Sequence, residues 1–328
     1  MEERRMCPYC QGEPARVVKI GFSRPRARDG GARRVQRFRC RRCRRDFSEG
    51  HGGLFFRDKR SGLYRPLLVA LCSGVSQRRL ALAMPMNRKT VARKMVKLGA
   101  FADQLAEAQQ RAKVSKVETI VFDEMETFEH TKCKPLSIVV AVEEKSRRIL
   151  ALEVAQMPAK GRLARVARAR YGRRVDCRRQ ALNKVFQRLR PIAAPEVVFK
   201  SDPCPRYPEI VRQHFPGAQH HRFKGRRGCV VGLGELKRGG FDPLFALNHT
   251  CAMIRDNLKR LTRQTWCTTK RPSRLQAQLN LYRIFHNCLL LPTPSPGDLA
   301  FCLPQASGPT SFSTTSPRLF LPAGHVRN

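Results

Sequence analysis

The chain has 328 residues, of which 65 are Lys or Arg and 25 are Asp or Glu, for a formal charge of +40. Hydrophobic residues make up 41%, enough for a real core, and the length suits two or three domains. Such a charge exceeds what solubility needs and points to a polyanionic partner, nucleic acid ahead of an anionic membrane. No long apolar span exists, and the basic residues are spread over the whole chain instead of clustering beside one, so no membrane association is expected.

The start, MEERRMCPYC, lacks the apolar segment of a secretory signal. The 13 cysteines are therefore expected in a reducing compartment, without disulfides. Four of them have metal-ligand spacing. Cys7-Pro8-Tyr9-Cys10 and Cys40-Arg41-Arg42-Cys43 lie 29 residues apart, with two candidate strands, RVVKIGF and RVQRFRC, between them. Two CxxC knuckles supply four thiolates, the tetrahedral set of a structural Zn²⁺, and predict a zinc ribbon over residues 1–53. The arginines of RCRRCRR suggest that the ribbon touches phosphate.

Residues 54–113 read as helices. Leu63 to Leu71 is apolar on one face, SGVS is a turn, Ser76 can cap Gln77 to Ala83, and Asn87 can cap a third helix ending at Gly99. In that helix Val91, Met95 and Leu98 share a face, while Arg88, Lys89, Arg93, Lys94 and Lys97 lie elsewhere. A short helix, a tight turn and a basic helix form a helix-turn-helix pattern, whose last helix would enter a major groove. The competing reading is a helical spacer with solvated charges.

Residues 114–288 read as a mixed α/β domain. VETIVF, PLSIVVAV and RRILALEV are strands, and the first is expected to end at Asp123, with Glu124 and Glu126 beyond it. A further strand, Val197 to Phe199, runs to Asp202, and Tyr207 to Phe215 reads as a helix. If the two strands are neighbours, Asp123 and Asp202 converge, and hard oxygen ligands of that kind suit Mg²⁺ or Mn²⁺. Two such ions can serve phosphodiester transfer. The plainer reading makes both aspartates turn residues. Glu124, Glu126 and Glu129 are read as ion-pair partners, and the lone Trp266 as a core residue. From Leu289 to 328 the chain is rich in Pro, Ser, Thr and Gly without period, and is read as an irregular tail.

Taken in order, the CxxC…CxxC ribbon, GVSQRRLA…NRKTVARK, FDEM…F, SD…Y and IRDNLKRLTRQTWCTTK resemble bacterial insertion-sequence transposases of the insertion sequence 1 superfamily, over roughly Cys7 to Asn287. The resemblance implies a multidomain protein: a zinc ribbon, a helix-turn-helix and a ribonuclease-H-like domain with an acidic metal site. It also implies a cytoplasmic, nucleoid-associated location and a homodimer or higher assembly. The partner would be double-stranded DNA, both the terminal repeats of the element and its target. Asp123 then matches the first acid and Asp202 the second. The third falls on Asn248, seven residues before Arg255 and so on the same helical face. Asn offers a carbonyl oxygen without charge. Glu235 is the alternative, with Asp242 and Asp256 also near in sequence. Arg255, Lys259 and Arg263 would form a phosphate-holding stripe. Should no third ligand complete the site, the protein would be a DNA-binding regulator or a decayed copy. An RNA-processing nuclease of related fold is a further alternative.

Overall fold

The computed structural model describes residues 6–10, 16–23, 34–51, 53, 54, 56, 58, 61–112, 115–224, 236–237, 240–262 and 266–291. Glu235, Arg263 and residues 292–328 of the expected tail lie outside them. Two units divide the chain, one running to Tyr64 and the other beginning at Arg65.

The first unit is a three-stranded antiparallel sheet, β1 (Val17–Ser23), β2 (Val35–Cys40) and β3 (Asp46–Ser48), in that order. The β1–β2 register shifts between Lys19 and Phe22, where Gly21 takes a φ of +100° that a side chain would resist. Phe38 stacks on Phe47 at 5.4 Å, and these rings with Cys7 and Cys40 are the buried core. Two rings and a few thiols are too little apolar surface to hold a fold alone.

Helix α1 (Tyr64–Leu71) starts at the last residue of the first unit and otherwise belongs to the second, which continues with α2 (Gln77–Ala83) and α3 (Arg88–Ala112). Both expected caps form: Ser76 Oγ accepts from the Arg79 N–H at 3.4 Å, and Asn87 Oδ1 from the Lys89 N–H at 2.8 Å. Val91, Met95 and Leu98 are buried as their spacing predicts. The third helix does not stop at Gly99, however, but continues to Ala112. A Cβ on Gly99 would lie 2.5 Å from the Ala277 carbonyl oxygen of α8 (Pro272–Phe285). This glycine is a close-approach residue between two helices, not a terminator. The first unit continues to Tyr64, and α3 packs on α8 within the second.

A five-stranded sheet forms the centre: β4 (Val117–Phe128), β5 (Pro135–Glu143), β6 (Ile149–Gln156), β7 (Ala193–Ser201) and β8 (Gln219–Arg222), ordered β6-β5-β4-β7-β8. The β4–β5 and β5–β6 pairs are antiparallel, and β4–β7 and β7–β8 are parallel. Leu136 to Val142 of β5 are all buried, which requires cover on both faces. On one face Phe122 meets Phe186 of α5 (Arg178–Leu189) at 5.1 Å and Tyr207 of α6 (Tyr207–His214) at 4.9 Å. The other receives α7 (Phe245–Asn257), which packs on β4 and β5. The outer edge of β6 is closed by side chains following and within α8. Gln276 Oε1 accepts from the Val154 N–H at 2.7 Å, and Asn287 exchanges 2.9 Å bonds with both Ile149 backbone groups. Those amides occupy an edge that would otherwise pair with another chain. No helix among the described residues is long and apolar enough to cross a membrane.

Strand β4 also departs from expectation, continuing five residues past Asp123 to Phe128. Its partner β5 dictates this, with pairing maintained to Phe128↔Pro135. Trp266 is 99% exposed and lies nowhere near a core.

Replacing Gly99 by Ala tests the α3–α8 approach. Ala favours a helix by about 0.8–1 kcal/mol over Gly, yet here overpacking dominates and a net loss of about 1–2 kcal/mol is expected. Chemical denaturation measures it; a neutral or stabilised variant would show that the helices can part freely.

Candidate active site

The four cysteines of the first unit come together. Cys7 and Cys43 sulfurs are 3.6 Å apart, Cys10 and Cys40 sulfurs 3.7 Å, and all four lie within 4.8 Å of one another. A tetrahedral zinc with metal–sulfur bonds of about 2.3 Å separates its sulfurs by about 3.8 Å. The thiols can therefore hold a zinc ion, with no position left over for chemistry. Arg41, Arg42 and Arg44 stand exposed on the second knuckle.

Asp123 and Asp202 are brought together by the parallel pairing of β4 and β7. Val121 lies opposite Lys200, and two residues further on β4 carries Asp123 while the chain just past the end of β7 carries Asp202. Because side chains alternate, Asp123 follows Val121 onto the α7 face, while Glu124 follows Phe122 onto the opposite one. There Arg206 Nη2 donates to Glu124 Oε1 at 2.8 Å and Ser137 Oγ to its Oε2 at 2.8 Å. Lys160 pairs with Glu126 at 2.7 Å and Arg174 with Glu129 at 3.1 Å. All three glutamates are thus ion-pair partners, as read from the sequence.

Asp123 has no such cation. Its Oδ1 accepts from the Tyr207 hydroxyl at 2.9 Å and the Glu124 N–H at 2.6 Å. Burial first, and then the Asp202 charge, push its carboxyl up from 3.8 to about 6. Asp202 is steadied by the Cys204 N–H, 3.1 Å from its Oδ1. Two carboxylates that repel each other in a desolvated place, with no basic side chain bonded to either, are a hard-oxygen donor set that suits a small divalent cation.

Asn248 lies on α7 and is exposed. Its Nδ2 donates to Asp242 Oδ2 at 2.8 Å, an amide orientation that leaves Oδ1 available. Asp242 is buried and its Oδ1 caps the helix by accepting from the Leu244 N–H, so it serves α7 and is spent as a ligand. One turn on, Cys251 feels the charges of both Arg255 and Asp123. By their spacing Asn248, Cys251 and Arg255 share one face of α7, the helix that packs on β4 and β5. Asp256 is exposed at the end of that helix.

Two parts of the expected basic surface are not where the periodicity placed them. The helix ends at Asn257 with Leu258 extended, so exposed Lys259 does not continue the Arg255 stripe. Arg88, Lys89 and Arg93 are exposed on α3, but Lys94 is only 6% exposed and belongs with the packed face. Two residues at the site were missed. Tyr207 was visible within SD…Y but carried no role, and Cys251 was legible only from its spacing between Asn248 and Arg255.

No protein-family model matches the chain, and no curated protein matches it. Among solved structures, the crystal structure of the Mos1 strand transfer complex is similar over 62% of this chain and 71% of that one, at 11% identity and a TM-score of 0.24. A superposition at that score is too loose to transfer a role, and the function must be read from this chain's own residues.

Two outcomes check the centres. Cys43→Ser should lower bound zinc from one equivalent per chain and unfold the first unit, because metal binding and folding are one equilibrium in so small a core; a zinc-free variant with unchanged near-ultraviolet circular dichroism would contradict this. For Asp123, the folded carboxyl binds its proton more tightly than the unfolded one, so stability falls as pH rises from about 4 to 6 and stays lower above. Asp123→Asn should match the native chain near pH 4 and exceed it by about 2–3 kcal/mol at pH 7.5 in chelator. Denaturant unfolding at the two pH values reads the gap, and a gap that does not widen with pH would refute the desolvated, repelled carboxylate.

Proposed function

We propose that this protein is a DNA transposase that cuts and joins DNA strands by divalent-metal-dependent phosphodiester transfer. The observation that carries the reading is the side-by-side placement of Asp123 and Asp202 on parallel strands in a chain of +40 charge. The ribonuclease-H-like character of the catalytic domain is supported by the sheet, in which three antiparallel strands are joined by two parallel ones. In this reading α1–α3 are the helix-turn-helix, with Arg88, Lys89 and Arg93 entering a groove. The zinc-held first unit adds Arg41, Arg42 and Arg44 to the phosphate contacts.

Asp123 and Asp202 would hold Mg²⁺ or Mn²⁺, with the carbonyl oxygen of Asn248 completing the set. When bound, the cation would neutralise the scissile phosphate and favour ionisation of the attacking hydroxyl. Tyr207 fixes the Asp123 carboxylate, so the ligand oxygens need not be ordered when substrate arrives. Arg255, on the same face of α7, would hold a phosphate beside them. Water attacks the phosphodiester at an element end, and the freed 3′ hydroxyl then attacks target DNA. No Ser, Tyr or Cys nucleophile is required. The element ends, the bacterial insertion-sequence origin, the assembly on DNA and the cytoplasmic location belong to this proposal.

A second reading is a DNA-binding protein without catalysis. The substitution of an uncharged Asn248 for a third acid favours it. Supercoiled plasmid incubated with Mn²⁺ separates the two. The native chain should nick it, Asp123→Ala should lose more than about 100-fold in rate, and Tyr207→Phe about 10-fold, with DNA binding retained in both. A native chain that binds duplex but nicks under neither Mg²⁺ nor Mn²⁺ leaves only the second reading.

A further inference from the structure

An arginine-rich helix that none of the roles above uses lies between β6 and α5. This is α4 (Leu163–Tyr171). Arg162, Arg165, Arg168, Arg170 and Arg173 are all exposed, and none has a carboxylate partner among the described residues. Ala167 is the only buried residue of the helix. A cavity of about 680 Å³ lies against it, lined in part by Gln156, Ala164, Arg168, Tyr171, Arg173 and Arg174. The arginines therefore do not support the core.

Their positions also work against the helix. Arg168 and Arg170 sit in the last turn, where the helix dipole favours cations. Arg162 at the N-cap and Arg165 in the first turn sit where it opposes them, and neither is matched by an acid there. Arg162, Arg165 and Arg168 follow at three-residue spacing along one ridge and repel one another. Among the described residues no carboxylate pairs with these arginines, whereas a polyanion would offset their charge.

The segment is also fixed in place. Lys160 just before α4 pairs with Glu126, and Arg174 just after it pairs with Glu129. Glu126 belongs to the strand that carries Asp123, and Glu129 follows directly after that strand's last residue, Phe128. Tyr171 is held as well, with the Lys134 ammonium 4.4 Å from its ring centroid and His130 edge-on at 6.1 Å. At about 3.3 Å per residue along a strand, these anchors lie about 10 and 20 Å beyond Asp123. Duplex DNA rises about 3.4 Å per base pair, so the same span covers about three to six base pairs.

From this geometry we infer that α4 is a second phosphate-binding surface, which grips duplex DNA about three to six base pairs from the bond that lies at Asp123 and Asp202. The inference rests on the proposed action on DNA, but concerns binding alone. Sequence readout is not expected of it, because exposed arginines on a ridge contact backbone phosphates.

The test is binding of the full chain in chelator to a fluorescent random-sequence 30-base-pair duplex across 50–300 mM salt. Changing Arg162, Arg165, Arg168, Arg170 and Arg173 to Gln should reduce the slope of log affinity against log salt by about 3–5, since each neutralised phosphate contributes about 0.9. The corresponding five-fold change to Lys should keep most of the slope, which separates lost charge from lost folding. A Gln variant within about 1 of the native slope overturns the inference, as does a Lys variant that loses as much as the Gln one. Preference for a structured RNA hairpin over duplex, abolished in the Gln variant, overturns the assignment to DNA. A covalently closed duplex minicircle distinguishes the source: loss confined to the linear duplex places α4 beside a strand end, and equal loss on the circle places it on uninterrupted duplex. A native chain that binds no duplex removes the proposed function as well. One that binds through α4 but never nicks removes only the catalytic reading.

Discussion

The parallel pairing of β4 with β7 is the constraint on which the candidate site depends. Asp123 and Asp202 are far apart in the chain, and neither bonds to a cationic side chain. Only the register that sets Val121 opposite Lys200 brings them level on the same face. Parallel strands need a crossover, and here it runs through β5, β6, α4 and α5 before β7 returns beside β4. The aromatic cluster of Phe122, Phe186, Phe199 and Tyr207 packs under that pairing. The same Tyr207 that buries its ring against Phe122 sends its hydroxyl to Asp123. Core packing and the orientation of the Asp123 carboxyl are thus joined in one side chain.

Acid is scarce in this protein, and β4 concentrates it. Alternation along the strand then sorts it by role. Glu124 and Glu126 fall on the face away from Asp123 and are neutralised by Arg206 and Lys160, while Glu129 at the end of the strand takes Arg174. These pairs tie the loops around α4 and the start of α6 to the central strand. The Arg206–Glu124 and Arg174–Glu129 pairs are part-buried and the Lys160–Glu126 pair is exposed, and each holds the segments it joins in position. They leave Asp123 and Asp202 without a cationic side-chain partner among the described residues.

Much of this was legible from local signals. The four thiols, both helix caps, the buried stripe of α3 and the strands β4 to β7 each follow from spacing or alternation over a few residues. What failed was decided by tertiary partners. Gly99 looks like a helix stop, but it is the small residue that admits α8. Asp123 looks like a strand end, but β5 extends the strand beyond it. Lys94 looks like a surface cation because helical periodicity says only which face it shares, not how far the neighbouring helix covers that face. Lys259 continues a basic pattern that the backbone abandons at Leu258. Trp266 defeats the expectation that a lone indole fills a core, and nothing in its flanking residues announces that exposure.

In the proposed site the uncharged Asn248 is physically consistent with Asp123 and Asp202 as the other ligands. Burial and then the Asp202 charge already raise the Asp123 carboxyl, and a third carboxylate nearby would raise it further. An amide adds a ligand oxygen without adding charge. Its weakness is rotational ambiguity, since either end of the amide could face the acids. Asp242 removes that ambiguity by accepting from Nδ2, and its other oxygen is fixed by the Leu244 N–H at the start of the same helix. Buried Asp242 thus orients Asn248 as Tyr207 orients Asp123. The residues around the site divide into those that would touch a cation and those that hold them still, and the second group is as specific to the chemistry as the first.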